Sequence, residues 1–171
     1  MTNRIRRLTD RNRAALFEHF SRLSREDVRL RFGSNRSTES LSEYVEVIDF
    51  DQDAVFGVFQ DFDDGAALIG VAHVGPMPGN TAELGISVLP HHRGSGIGTA
   101  LVQRSATYAR NRMINALLMH CLTENEAMMH IARKAGMTIV TDSGSSHGWL
   151  ELPRGSAIGA AHEATAHCWT Q

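Results

Sequence analysis

The sequence lacks the features that mark several large classes of protein. Its 171 residues include only two cysteines, Cys121 and Cys168, which stand far apart and fit no metal-ligand spacing. So few thiols suit a reducing compartment and exclude a disulfide scaffold. No apolar run approaches the roughly 20 residues that cross a bilayer, and the first residues lead into no apolar signal core. We therefore expect a cytoplasmic protein with no membrane partner.

An excess of one charge is also missing. The formal net charge is −2, so nothing in the composition indicates a polyanionic partner such as a nucleic acid. Hydrophobic residues make up 42% and charged residues 21%, as in ordinary soluble proteins. This length suits one domain with a sizeable core. We expect that domain over residues 1–153, followed by a loosely ordered tail at 154–171 that is rich in Gly, Ala and His.

The strongest pattern in the chain begins at residue 83. Residues 83–88 alternate in polarity, with Leu84, Ile86 and Val88 on one face, and so predict a strand. Pro90 has no N–H to donate and therefore ends the strand. The strand leads directly into a glycine-rich turn.

Gly94, Gly96 and Gly98 come at every second position in that turn, where the backbone turns tightly or approaches a ligand. From Thr99 the period becomes that of a helix. The predicted buried stripe of this helix is Val102, Ala106, Ala109 and Met113. A turn that opens a helix leaves the first N–H groups free, and with the helix dipole they form an anion site. Arg93 adds a charge and a planar donor fork. The alternative is that the glycines serve only a sharp turn.

The turn matches neither the dinucleotide fingerprint G-x-G-x-x-G nor the Walker form, which needs a Lys after its last glycine. It resembles motif A of the GNAT superfamily of N-acetyltransferases, [Q/R]-x-x-G-x-[G/A], here Arg93-Gly94-Ser95-Gly96-Ile97-Gly98. Downstream, Asn125 and Gly136 match the spacing of a second GNAT motif, N-x-x-A-x-x-x-Y-x-x-x-G-F. Ala132 stands where many members have the Tyr that protonates the leaving thiolate.

The resemblance implies a single-domain α/β fold with a mixed, mainly antiparallel sheet, flanking helices and a splay beside the Val88 strand. It implies acetyl-CoA as the acyl donor, with the pyrophosphate of coenzyme A held by the N–H groups of the turn. The residues expected at the cofactor are Ile86, Val88, Arg93, Gly94, Ser95, Gly96, Ile97, Gly98, Thr99 and Asn125.

No metal is expected. The acidic cluster Asp61, Asp63 and Asp64 lacks the remaining ligands of an EF-hand loop and predicts a hairpin turn instead. The neighbours His91 and His92 are interpreted as a solvated loop, because adjacent residues rarely bind one ion without further ligands.

Acetyl transfer to an amine needs a base, a donor to the thioester carbonyl and a proton for the thiolate. Glu83 is the candidate base, because the strand start resembles that of GNAT protein lysine acetyltransferases, in which this Glu is the base. It lies about 13 Å along the strand from Ser87, at roughly 3.3 Å per residue, so a water relay or a bent strand is required. The alternatives are His73 as the base, across the hairpin, or a Glu83 that only faces solvent.

By the same resemblance, the Val88 N–H is the expected carbonyl donor. Ser87, water or bulk solvent supplies the acid. No Cys or Ser in a suitable setting indicates a covalent intermediate, so direct attack in a ternary complex is expected.

The remaining pattern predicts helices near residues 10–23, 24–32 and 41–48, and strands near 5–8, 54–60, 66–74, 116–122, 138–141 and 149–152. Residues 34–40 are predicted to be a polar connection and residues 75–80 a turn. A capping box of Thr123 and Glu126 is predicted to start the helix of the second motif.

The acceptor stays open. A protein lysine is favoured by the helical front, by the Ala82-Glu83 strand start and by Ala132. A small amine fits the same machinery, and a strongly acidic lining would favour a polyamine. A non-catalytic acetyl-CoA sensor fits the glycine turn, although Glu83 favours an enzyme. The oligomeric state is open too, with a homodimer as one option.

Overall fold

The computed structural model describes residues 4–63 and 65–152. The predicted tail, Cys168 and Asp64 of the acidic turn lie outside the described residues. The helices are α1 (Arg13–Ser21), α2 (Arg25–Phe32), α3 (Thr38–Glu46), α4 (Ile97–Asn111) and α5 (Glu126–Lys134). The strands are β1 (Ile5–Arg7), β2 (Ala54–Phe62), β3 (Gly65–Met77), β4 (Thr81–Val88), β5 (Ala116–Leu122), β6 (Thr138–Asp142) and β7 (Ser145–Glu151).

The seven strands of the described residues form one sheet in the order β1-β2-β3-β4-β5-β7-β6. The pair β4–β5 is parallel and every other neighbouring pair is antiparallel. The prediction of a mixed, mainly antiparallel sheet is therefore confirmed. The parallel pairing joins Thr81–Glu83 of β4 only to residues 116–118 of β5. Beyond it the two strands diverge, which leaves one edge of β4 without a partner strand in the part of the chain that is described.

The helices cover both faces of the sheet. A Cβ built on Gly70 of β3 would come 2.7 Å from Ile97, so this face packs against α4. Val88 is the register partner of Gly70 and belongs to the same face, called here the α4 face. On the opposite face, a Cβ built on Gly85 would overlap the Arg31 guanidinium of α2. This second face also carries α1 and α3 and is called here the α1–α3 face.

The core lies on both sides of the central strands. Fully buried side chains come from α1, α3, α4 and the inner strands, and include Leu16, Phe20, Val45, Leu84, Leu101 and Leu117. Burial of each such side chain stabilises the fold by about 1.5–3 kcal/mol relative to exposure. The core thus holds the helices on β3, β4 and β5, and it fixes where the side chains of α2 and the turn before α4 can reach.

Helix α2 forms as predicted. The Ser24 hydroxyl accepts the Asp27 N–H at 3.1 Å, which satisfies a free donor at the helix start. Gly33 ends the helix with φ of 75°, in the left-handed region that favours glycine. The helix directs Asp27 and Arg31 toward β4 and the glycine turn.

The predicted turn at residues 75–80 is wrong in its first half, because β3 continues to Met77. Pro76 is tolerated there because it pairs with Ala82 at a position whose N–H would point away from β4. On that side β2 pairs with β3 only as far as Val74, so no ladder hydrogen bond is lost.

Several helix boundaries also differ from prediction. Ser37 caps α3 by accepting the Ser40 N–H at 3.2 Å, so residues 38–40 are helical rather than a connection. Helix α4 begins at Ile97, two residues early, and ends before Met113, which is 53% exposed instead of buried. No helix in the described part of the chain is long and apolar enough to cross a membrane.

The start of α5 is set by Asn125 rather than by the predicted capping box. The Asn125 carboxamide oxygen accepts the Met128 N–H at 3.1 Å, and its nitrogen donates to the Leu30 carbonyl at 3.3 Å. Asn125 therefore caps α5 and ties it to α2, which is a structural role for a residue predicted at the cofactor.

We expect Asn125→Ala to lower the free energy of unfolding by about 1 kcal/mol, since it removes an N-cap. Thr123→Ala is the matched control, and we expect it to change that free energy by less than about 0.5 kcal/mol. Urea denaturation of both variants measures the difference. A larger loss for Thr123→Ala than for Asn125→Ala would show that the capping box starts the helix after all.

Candidate active site

Two cavities lie on either side of the free part of β4. The first, called here the glycine-loop cleft, has a volume of about 360 Å³ and lies between α2, the end of β4, the turn at 93–96 and the helices α4 and α5. Every residue of the predicted cofactor set lines it except Ser95, whose hydroxyl donates to the His92 carbonyl at 2.6 Å. The fold thus brings two motifs, separated by about thirty residues, to one cleft.

The glycines of the turn have different tasks. Gly94 and Gly96 have φ of 75° and 84°, so the turn needs their left-handed backbone. Gly98 lies inside α4, and a Cβ there would come 2.6 Å from Ile131 of α5. The first two glycines therefore shape the turn, and the third lets the two helices pack closely. The first N–H groups of α4, which have no partner within the helix, lie at this cleft.

Arg93 is held at the mouth of the cleft by two contacts. Its Nε donates to the Val88 carbonyl at 3.0 Å, and its Nη2 lies 2.7 Å from the Asp27 carboxylate. Burial raises the pKa of Asp27, but hydrogen bonds from Ser24 and Arg93 outweigh it and hold that pKa below its usual range. Asp27 thus orients the guanidinium, a role that sequence reasoning missed because the contact joins residues far apart in the chain.

The free edge of β4 presents backbone donors to the gap between β4 and β5. Leu89 donates to the Ile69 carbonyl of β3 at 2.9 Å. Hydrogen-bonded and non-hydrogen-bonded pairs alternate along an antiparallel ladder. The neighbouring pair, Val88 with Gly70, is therefore non-hydrogen-bonded, and its Val88 N–H points away from β3. It therefore faces the gap, where the predicted carbonyl donor has to be.

The second cavity, called here the sheet-face cavity, has a volume of about 530 Å³ and lies on the α1–α3 face. Glu83 and His73, the two candidate bases, both line it, and Arg31 lines both cavities. The Glu83 side chain is about half exposed, and its carboxylate lies 3.8 Å from Nδ1 of His120. The two cavities therefore meet at the middle of β4.

His73 is part of a hydrogen-bonded chain rather than an isolated base. Its Nε2 donates to the Asp53 carboxylate at 3.0 Å, and its Nδ1 accepts the Tyr44 hydroxyl at 2.6 Å. His73 pairs with Gly85 across the strands, so it shares a face with Glu83, as predicted. Burial raises the pKa of Tyr44, although nearby Arg31 opposes the shift.

Sequence reasoning missed Tyr44 and Asp53. Tyr44 lies three residues after the buried Leu41 of α3, and this helical spacing was the available signal for it. Asp53 gave no signal, because it precedes β2 in a polar loop.

Ser87 has a buried partner that was also missed. The Leu68 carbonyl accepts from Nδ1 of His19 at 2.9 Å, which fixes the tautomer. Nε2 therefore accepts the Ser87 hydroxyl at 2.7 Å. Burial lowers the pKa of His19 to about 4, with smaller contributions from Arg22 and Arg31, and the Leu68 bond opposes the shift. The ring is thus neutral near pH 7.

This pair limits one expectation. Ser87 donates to a histidine nitrogen, but burial lowers the pKa of that histidine to about 4 and makes it a weak base for activating the hydroxyl, so direct attack stays the prediction. As an acid, Ser87 has to turn its proton away from His19. Ala132 of α5, at the place of the Tyr in the GNAT motif, is fully buried. Within residues 4–63 and 65–152, no group of three His, Cys, Asp or Glu side chains is arranged to hold a metal ion.

Comparison with known proteins gives a consistent result. Residues 4–138 match a family model described as the acetyltransferase (GNAT) domain. Among solved structures, the GNAT domain of S. lividans PAT has a TM-score of 0.71 at 22% identity, covering 86% of this chain and 89% of that one.

Two further structures carry ligands in their names. A Sinorhizobium meliloti phosphinothricin acetyltransferase in complex with AcCoA has a TM-score of 0.70 at 17% identity, covering 92% of each chain. A Vibrio cholerae spermidine N-acetyltransferase in complex with CoA and spermine has a TM-score of 0.65 at 18% identity, covering 86% of this chain and 94% of that one. At these identities the likeness to solved structures is one of fold.

The buried His19 predicts acid-sensitive stability. Unfolded His19 takes up a proton near its ordinary pKa of 6.5, whereas the folded pKa is about 4. The neutral ring's contribution to the free energy of unfolding is complete above pH 6.5 and is lost as the pH falls toward 4. The free energy of unfolding therefore falls by about 2 kcal/mol between pH 7 and pH 5. We expect His19→Gln to lose less stability over that interval than the parent, by urea denaturation. The exposed His91→Gln is the control. Equal losses in the parent and in His19→Gln would contradict the assignment.

Proposed function

This chain belongs to the GNAT acetyltransferase family, and from that premise we propose that it transfers the acetyl group of acetyl-CoA to a primary amine. One observation carries the proposal: the glycine-loop cleft and a polar cavity with two candidate bases meet on β4, where Arg31 lines both. An acyl donor in the cleft and an amine in the cavity would therefore come together at one edge of a strand. Direct attack in a ternary complex needs this arrangement.

The pyrophosphate of coenzyme A is assigned to the turn before α4. The N–H groups of Ile97, Gly98 and Thr99 are the free donors there, and the helix dipole favours an anion at this end. Arg93, fixed by Asp27, adds a positive charge at the mouth. Asn125 contributes by holding α5 against α2, since its carboxamide is already engaged on both sides.

The Val88 N–H is assigned as the hydrogen-bond donor to the thioester carbonyl. Negative charge develops on that oxygen as the amine attacks, and a fixed donor stabilises it without reorganisation. Support comes from the hydrogen-bond alternation along β3 and β4, which directs this N–H toward the gap. In the step itself, the amine nitrogen forms a bond to the acetyl carbon and the carbon–sulfur bond breaks.

Glu83 is assigned as the base that accepts the proton of the attacking amine, with His73 as the alternative. Glu83 lines the sheet-face cavity and is accessible to water, so it can accept a proton directly or through one water. His73 can accept one only through Tyr44, whose hydroxyl occupies its free nitrogen. The Asp53 carboxylate would then stabilise the charged ring.

Stabilisation and protonation of the leaving thiolate are assigned to Ser87 and water. The Ser87 hydroxyl lies at the glycine-loop cleft and donates to His19 in the absence of a thiolate. A thiolate is a charged acceptor, and hydrogen bonds to charged groups are the stronger ones. Neutral His19 has no proton on Nε2 with which to replace one that Ser87 gave away. Ser87 therefore stabilises the thiolate by a hydrogen bond, and water supplies the proton.

Gly96→Trp tests the cofactor site. A large side chain at the turn should weaken acetyl-CoA binding by about 100-fold or more, because several N–H bonds to a charged group are lost. Gly144→Trp is the matched control, since Gly144 has a similar φ of 89° in the turn before β7 but lies outside both cavities. Calorimetric titration of acetyl-CoA measures the effect. Equal affinities in the two variants would refute the cleft assignment.

Glu83→Gln tests the base. We expect kcat to fall by about 100-fold or more with acetyl-CoA affinity unchanged. The defect should be greatest at low pH, where the free amine is scarcest. Thiol release measured across pH gives the profile, with Glu46→Gln on the exposed side of α3 as the control. An unchanged profile, together with a defect in Tyr44→Phe, would transfer the role to His73.

A further inference from the structure

The sheet-face cavity contains two guanidinium groups that the proposed chemistry leaves unused. Arg31 lies where this cavity meets the glycine-loop cleft, and Arg36 is exposed at its mouth. Both stack on one ring, since each guanidinium carbon lies 4.8 Å from the centroid of Phe32. The ring therefore holds two positive charges on one wall of the cavity.

Neither guanidinium has a carboxylate within ion-pair distance in the part of the chain that the structure describes. Arg31 donates to the Tyr44 hydroxyl at 3.4 Å, and Arg36 donates to the Ser40 hydroxyl at 3.3 Å. Neighbouring arginines differ in this respect. Arg29 contacts two glutamates, and Arg93 contacts Asp27. The cavity thus presents donor forks whose preferred partner, a planar or tetrahedral oxyanion, is not supplied by any described residue.

The backbone is shaped to hold Arg31 in this place. A Cβ on Gly85 would overlap the Arg31 guanidinium, so only glycine lets this group lie against β4. Gly85 precedes Ile86 and Ser87 on the same strand, and both of these line the glycine-loop cleft. An anionic group on Arg31 would therefore be close to the point where the amine meets the thioester.

The charge of the cavity completes the argument. Of the described residues that line it, Glu83 alone carries a carboxylate, against the two guanidinium groups. Resting on the proposed function, we propose that the acceptor is a small primary amine that itself carries an oxyanion, an amino-acid-type substrate whose anionic group binds Arg31. Arg36 at the mouth attracts the same charge during entry.

A polyamine fits this cavity poorly. It would bring several ammonium groups against Arg31 and Arg36 with only Glu83 to balance them. A lysine side chain of a peptide brings no anionic group near its amine, so it would leave the Arg31 fork without its partner. The acid-bearing amine satisfies Arg31 with its anion and places its nitrogen toward Glu83.

The test uses pairs of amines that differ only in the anionic group. Thiol release from acetyl-CoA is measured with L-methionine and 3-(methylthio)propylamine, and with 2-aminoethylphosphonate and ethylamine. Spermidine and an N-terminally blocked lysine peptide complete the panel. Binding of the same compounds to the CoA-loaded full chain is measured by calorimetry, so that recognition is read independently of turnover.

The variants isolate the guanidinium. We expect Arg31→Gln to raise KM and Kd for the acid-bearing amine by about 10- to 100-fold, with little change for its partner amine or for CoA. Arg31→Lys should recover part of the loss, because it keeps the charge without the fork. Arg25→Gln removes one exposed charge from the same helix, outside both cavities, and serves as the control.

The outcomes separate this inference from the proposed function. Preferred turnover of the carboxylate or the phosphonate amine, lost in Arg31→Gln, supports both and shows which oxyanion is favoured. Preferred turnover of spermidine or of the lysine peptide, unaffected by Arg31→Gln, overturns the inference and leaves the acetyltransferase intact. Arg31-dependent binding without turnover of any amine supports the ligand class and overturns the proposed function. If the protein shows no turnover of any amine and no Arg31-dependent binding, both the inference and the proposed function are overturned.

Discussion

The short parallel pairing of β4 with β5 is the constraint on which the rest of the site depends. Three residues of β4 pair with β5, and the strands then separate while β5 continues along β7. The upper part of β4 keeps one hydrogen-bonded neighbour, β3, and turns its other backbone groups toward an open gap. A gap of this kind is costly unless a ligand or water pairs with those groups, which makes it a natural position for a polar acyl group.

The period of two along β4 then distributes the site between the faces of the sheet. Ile86 and Val88 turn toward α4 and the glycine turn, and Glu83, Gly85 and Ser87 turn toward α1, α2 and α3. Residues 83–85 line the sheet-face cavity and residues 86–88 line the glycine-loop cleft, so the two cavities follow each other along β4 while its side chains alternate between the faces. Arg31 lines both cavities because it approaches the strand at the one position without a side chain.

The polar groups beneath the α1–α3 face form two separate chains. Asp53, His73 and Tyr44 form one that ends in the sheet-face cavity, and His19 with Ser87 forms one that ends at the glycine-loop cleft. Each histidine has its tautomer set by its partners, a carboxylate for His73 and a carbonyl for His19. His73 is held between a carboxylate and a hydroxyl, and burial keeps the His19 ring neutral near pH 7. The two histidines therefore suit different tasks although they lie under the same sheet face.

The sequence by itself determined the local features, because strand alternation, glycine spacing and capping residues act within a few positions of one another. The strand at β4, the glycine turn and the helix at α2 could be predicted in this way, whereas the α/β class was implied by the resemblance to the GNAT motifs. Only the tertiary structure decided the rest. Asp27 with Arg93, Tyr44 with His73 and His19 with Ser87 are contacts between segments that no local period connects. Even Asn125, picked out by a motif, acquired its role from Leu30 of a distant helix. A side chain's partner across a fold is set by how helices pack on the sheet, and that packing depends on the whole core at once.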